Sequence, residues 1–151
     1  MQSWRGVNAE RWRVRYLSMT QSDLPDDVQE LVTKIFGLAR DGGAESAATL
    51  GAYVDNGVDV NLSNQDGNTL LMLAAYSGHA DVVQALIERG ADVDRVNNRN
   101  QTPLAGAIFK KEEAVIEALL AGGADPYAGT PTAVDTAKMF GREDLVARFE
   151  S

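Results

Sequence analysis

His79 is the only histidine of the chain, and there is no cysteine. A single imidazole can act as a general base, but its usual helpers are missing. No second histidine can complete a metal cage, no thiol can pair with it, and no redundant Ser-His-Asp set surrounds it. The acids occur as neighbours, Asp26-Asp27, Glu112-Glu113 and Glu143-Asp144. Each pair falls where a helix should begin, and the helix dipole favours negative charge there. Two carboxylates that cleave a glycosidic bond must instead face each other across a cleft. The turn-rich stretch Asp125-Pro126-Tyr127, followed by Ala128-Gly129-Thr130-Pro131, lacks the lysine that a phosphate-cradling loop needs after its glycine. The expectation is a protein without enzymatic activity, cofactor or metal.

The elements that would position these residues repeat. Asn56-Gly57-Val58-Asp59 recurs as Arg89-Gly90-Ala91-Asp92 and as Gly122-Gly123-Ala124-Asp125, which places the glycines 33 residues apart. Gly67-Asn68-Thr69-Leu70-Leu71 recurs at the same offset as Asn100-Gln101-Thr102-Pro103-Leu104. A period of this size marks a stack of small units, none able to bury its apolar side alone. Such stacks usually present a long surface to another macromolecule.

Within each unit the pattern predicts two helices. Asp23 suits an N-cap, and Val28, Leu31, Val32, Ile35, Leu38 and Ala39 then form one apolar face that ends at Asp41-Gly42-Gly43. A partner helix runs from about Ser46 to Asp55, closed by Gly57. The second unit predicts helices over Leu70–Tyr76 and Asp81–Arg89. In the third, Thr102 is the cap, Pro103 fills the first helical position, and an outer helix carries Val115, Ile116 and Leu119 inward. Thr132 matches Thr102 at an offset of 30, and a last helix is expected over Glu143–Glu150. Helices shorter than about twelve residues are unstable alone in water, so these must lean on one another.

Composition bounds the rest. At 151 residues with 44% hydrophobic content, the chain suits one elongated domain. Residues 1–18 carry four arginines and one glutamate, net +3, which leaves −11 for the remainder. An acidic body argues against a nucleic-acid partner. No apolar run is long enough to span a membrane, and no apolar block follows the first arginines as a secretory signal requires. Cytoplasm is the default compartment. Residues 1–21 show no period and mix arginines with Trp4, Trp12 and Tyr16, which suggests a disordered or non-native extension with a start at Met19.

The run from Asn68-Thr69-Leu70-Leu71 through Gly78-His79, Val82-Val83 and Gly90-Ala91-Asp92 closely resembles the ankyrin repeat. The resemblance covers about residues 28–151 and implies an all-α solenoid of about four helix-turn-helix units with capped ends. The domain would span residues 22–151, with units at about 28–63, 64–96, 97–129 and 130–151. It is nearest to short, free-standing bacterial proteins of this kind. Met72 and Ala105 occupy the place of a histidine in the family pattern, Lys111-Glu112 replaces Gly-His, and the first unit has about three extra residues after Gly42.

The resemblance implies protein binding through a groove formed by inner helices and loop tips. Carried over position by position, one row of the groove reads Arg40, Tyr76, Phe109, Met139, and the adjacent row includes Ser77, Lys110 and Phe140. Lys110, Lys138 and Arg40 would make it neutral to basic. Aromatic residues, methionine and arginine are the types enriched at interface cores. Loop-tip candidates are Gln65, Asp66, Asn68, Asn98, Arg99 and Gln101. His79 would bond to the backbone of a neighbouring turn. The expected partner is another protein, with no nucleic acid and no membrane, bound by a monomer. An adaptor or regulator is the first reading, and a dedicated inhibitor or immunity partner that occludes the active site of one enzyme or toxin is the alternative.

Overall fold

The computed structural model describes residues 26–150. The extension expected over residues 1–21, and the cap expected at Asp23, lie outside the described residues. Among the described residues eight helices pair in order: α1 (Asp26–Asp41) with α2 (Ala44–Asp55), α3 (Leu70–Tyr76) with α4 (Ala80–Glu88), α5 (Pro103–Phe109) with α6 (Glu113–Ala121), and α7 (Ala133–Met139) with α8 (Glu143–Glu150). The inner helices α1, α3, α5 and α7 stack in chain order, and α2, α4 and α6 form a parallel outer row.

The repeat is written in hydrogen bonds. Thr69, Thr102 and Thr132 each accept, on the side-chain oxygen, the N–H three residues on, at 3.2, 3.2 and 3.0 Å. These caps satisfy donors that a seven-residue helix would otherwise leave open. Each outer helix ends on a glycine with positive φ, Gly57, Gly90 and Gly123. The next residue then donates back to the helix, from Val58 to Tyr53, Ala91 to Leu86 and Ala124 to Leu119, at 3.0 to 3.1 Å. The following turns are also copied: Asp59, Asp92 and Asp125 each accept the N–H two residues later. Units interlock where the Asn61 side chain accepts from the Asp92 N–H at 2.7 Å and Asp94 accepts from Asp125 at 2.8 Å.

Two departures from the repeat resolve physically. The extra residues after Gly42 do not lengthen a loop. They wind onto α2, which has 12 residues where α4 and α6 have 9, about one additional turn. Lys111 keeps the turn that Gly78 and Gly141 make elsewhere, at φ 61 against 80 and 70. Glu112 donates its N–H to Ala107 at 2.9 Å just as His79 does to Ala74.

The core is continuous through all four hairpins. Ile35, Leu50, Leu70, Leu86, Leu104, Ile116 and Leu119 are essentially sealed from solvent, and the cluster reaches Leu145 on α8. Met72 and Ala105 are buried as well, so an imidazole at those positions is replaced by apolar packing. The loops are tied by asparagines instead. Asn64 accepts the N–H groups of Asp66 and Asn68, and Asn97 accepts those of Arg99 and Gln101.

Candidate protein-binding groove

Tyr76, Phe109 and Met139 end α3, α5 and α7 at equivalent positions, and stacking brings them to one side of the molecule. They border a groove of about 370 Å³ together with Gln101, Lys110 and Phe140. Six of the residues singled out from sequence therefore share one site. Arg40, at the end of α1, is exposed but does not line this groove, nor does Ser77.

Four lining residues were not anticipated: Ala105, Gly106, Pro131 and Thr136. Gly106 matters most. A Cβ there would lie 1.6 Å from the Tyr76 ring, so the absence of a side chain lets the tyrosine lie against the backbone of α5. Glycine inside a helix costs about 1 kcal/mol relative to alanine, and an interior glycine in an apolar helical run was the available signal for a close approach. Desolvation by this packing raises the Tyr76 pKa above its ordinary value.

Phe109 and Phe140 meet edge to face with ring centroids 5.5 Å apart. The two therefore belong to one aromatic wall, although the repeat places them in different rows. Neither Phe109 nor Met139 is absorbed into the core, since they are 61% and 70% exposed. Exposed large apolar side chains gathered at a concavity are the ordinary mark of an interaction site.

The charge expected around this groove is redistributed. Lys110 lines it, whereas Lys138 stands at the repeat position of Ile108 and Ala75. Those residues are buried by the next unit, and Lys138 is exposed because no described unit stacks on α7. On the outer side, Glu113, Glu117 and Asp144 are bound by arginines. Arg142 pairs with Glu113 at 2.7 Å and Asp144 at 3.1 Å, and Arg148 pairs with Glu117, which joins α8 to α6. The hydrogen bond to Asp144, then that to Glu113, raises the Arg142 pKa, and the Arg142 bond lowers that of Asp144. A second hollow, about 590 Å³, lies between α4 and α6, but small residues such as Ala80, Ala114 and Ala118 line it and offer little to grip.

The loop-tip candidates divide. Asn68 accepts from the Asn97 side chain at 2.9 Å, and Asn98 donates to the Gln65 carbonyl at 2.9 Å. These two hold neighbouring loops together. Gln65, Asp66 and Arg99 are exposed. Asn97, which sequence reasoning passed over, is the buried hub of this network. His79 Nε2 lies 2.7 Å from the Arg40 carbonyl oxygen, a contact that requires Nε2 to carry the proton, and its ring packs on Gly42. The histidine is thus engaged in joining the first two units. Among the described residues no group of three or more His, Cys, Asp or Glu could hold a metal ion, and no helix is long and apolar enough to cross a membrane.

Comparison with known proteins agrees with this architecture. A family model described as ankyrin repeats in three copies matches residues 37–130. The ankyrin repeat protein PA3287 of Pseudomonas aeruginosa is 44% identical over 69 residues, which covers 44% of this chain and 39% of that protein. The match thus spans about two fifths of the relative's length. The threonine caps at 69 and 102, the glycine-closed outer helices and the interlocked loops fall within the matched segment, and the chain belongs to the ankyrin repeat family, whose members are typically non-catalytic and bind other proteins.

Proposed function

We propose that this protein is a non-catalytic adaptor or regulator that binds a partner polypeptide in the groove between α3, α5 and α7. The observation that carries this reading is the exposure of Phe109 and Met139, at 61% and 70%, around a single concavity. Leaving two such side chains in water forgoes burial free energy of roughly 1.5–3 kcal/mol each, which a partner can recover. Aromatic and methionine side chains also dominate interface hot spots and adaptable binding surfaces. The rigid scaffold supplies shape, and the exposed positions supply selectivity. A cytoplasmic monomer is the setting we propose.

The test is a Phe109→Ala, Met139→Ala double variant used as bait beside the unaltered chain in host lysate. Both side chains are exposed, so the thermal midpoint should hardly move. Proteins retained by the unaltered chain should be lost from the variant. Equal recovery of the same proteins from a folded variant would remove the groove from consideration.

A further inference from the structure

The polar side chains of the groove have one character in common. Its lining contains four of them: Tyr76, Gln101, Lys110 and Thr136. Thr136 already donates its hydroxyl hydrogen to the Thr132 carbonyl at 2.8 Å. The other three keep donors to spare. The orientation of Gln101 follows from its neighbours. Asn97 Oδ1 accepts two backbone N–H groups, from Arg99 at 2.9 Å and Gln101 at 3.0 Å, so its Nδ2 must be the donor facing Gln101. The atom it meets at 2.8 Å is therefore the Gln101 carbonyl oxygen, which leaves both amide hydrogens of that side chain unspent. Among the described residues the Tyr76 hydroxyl has no hydrogen-bond partner and the Lys110 ammonium no ion pair, whereas the arginines at positions 89, 95, 142 and 148 all have acids. Lys111, next in the chain, is exposed and also has no ion pair among the described residues.

A groove with an apolar floor, an unpaired ammonium and spare amide and hydroxyl donors favours an occupant that brings apolar bulk and acceptors, above all anionic ones. We propose that the groove takes an acidic peptide segment. One large apolar or aromatic side chain sits against Phe109, Met139 and Phe140, and a neighbouring carboxylate accepts from Lys110, Gln101 and Tyr76. This rests on the groove reading above and adds the chemistry of the partner. The same charges disfavour the chain's own first residues as the occupant, because Arg5, Arg11, Arg13 and Arg15 would be brought beside Lys110 and Lys111.

The test is selection of a randomised twelve-residue phage-displayed peptide library on the full chain, with parallel selections on Phe109→Asp and Lys110→Glu. Sequences enriched on the unaltered chain should pair Asp or Glu with an adjacent aromatic, leucine or methionine. They should disappear on Phe109→Asp, and on Lys110→Glu they should lose their acids. A synthetic copy of the best peptide should bind at least tenfold more weakly to Lys110→Glu, and severalfold more weakly when salt is raised from about 0.05 to 0.5 M. Enriched peptides that need Phe109 but are neutral or basic would overturn the acidic partner and leave the groove standing. Enrichment indifferent to Phe109→Asp, or none, would overturn both. A dimer of the unaltered chain that Phe109→Asp dissociates, seen by sedimentation, would make a second copy the occupant and also refute the proposal.

Discussion

Asp94 occupies the position that Asn61 holds one unit earlier, and each side chain accepts an N–H just beyond the outer helix of the next unit, from Asp125 and Asp92 respectively. Asparagine does so without charge. Asp94 is half-buried, and desolvation raises its pKa above the usual carboxylate value, partly opposed by the Asp125 N–H bond and reinforced by the Asp125 and Asp92 charges. A carboxyl with a raised folded pKa holds its proton better in the folded state, so its contribution to stability declines as pH rises through that pKa. Asp94→Asn should therefore stabilise the protein near pH 7 by less than about 1 kcal/mol, given solvent screening. The advantage should vanish below the ordinary carboxylate range, and urea midpoints at pH 7 and pH 3 would check it. Lys111 is the second informative residue. Its φ of 61 belongs to the left-handed region that costs a side chain about 1–2 kcal/mol, and Gly78 and Gly141 stand at its equivalents. Lys111→Gly should raise stability by about 0.5–1 kcal/mol after the entropy of the unfolded glycine is set against it, read as a higher thermal midpoint.

Inner helices of seven residues cannot persist by themselves, and their loops must hold them in register. Asn97 does this between the second and third units. Its amide donates to Asn68 at 2.9 Å and Gln101 at 2.8 Å while accepting from two backbone N–H groups, and it is buried. Its loss strands two N–H groups and two side-chain acceptors in a shielded site. Asn97→Ala should cost roughly 2–3 kcal/mol, and hydrogen exchange should quicken at Arg99 and Gln101 before it does in α6. A change under about 0.5 kcal/mol would mean that the loops are held by packing alone. The same asparagine also orients the Gln101 amide, so the element that fixes register helps to shape the groove.

Across the whole molecule, each hairpin shields its neighbours, and stability should behave as a sum of units and interfaces. A chain ending at residue 129 would uncover the side of α5 against which α7 packs. It would also remove Met139, Phe140 and the Arg142 and Arg148 ion pairs. Such a chain should unfold at lower urea, with a smaller dependence on denaturant because less surface is exposed on unfolding. An unchanged midpoint would mean that the fourth hairpin adds nothing to the others. The outer ion pairs are solvent-exposed and screened, so most of the loss should come from apolar packing.

Much of the architecture was legible in the sequence because it is local and repeated. Threonine caps, glycines that must take positive φ, and aspartates that close their own turns each act within five residues, and they recur every 33, or 30 for the last cap. These interactions need no distant partner, so α3, α8 and the ends of α5 and α7 could be read directly. The extra residues after Gly42 could not, since Ala44 and Glu45 are exposed and add no buried apolar position that would mark them as helix. The row Tyr76, Phe109, Met139 was also legible, because equal position in equal units means equal direction. Its chemistry was settled only by contacts between units: the Tyr76 ring on Gly106, the Phe109–Phe140 pair, and the Gln101 amide turned outward by Asn97. The exposure of Lys138 likewise follows from stacking, since the position it fills is buried wherever a further unit covers it. Local backbone chemistry determined the repeat, and the packing of one repeat on the next decided the shape of the candidate groove.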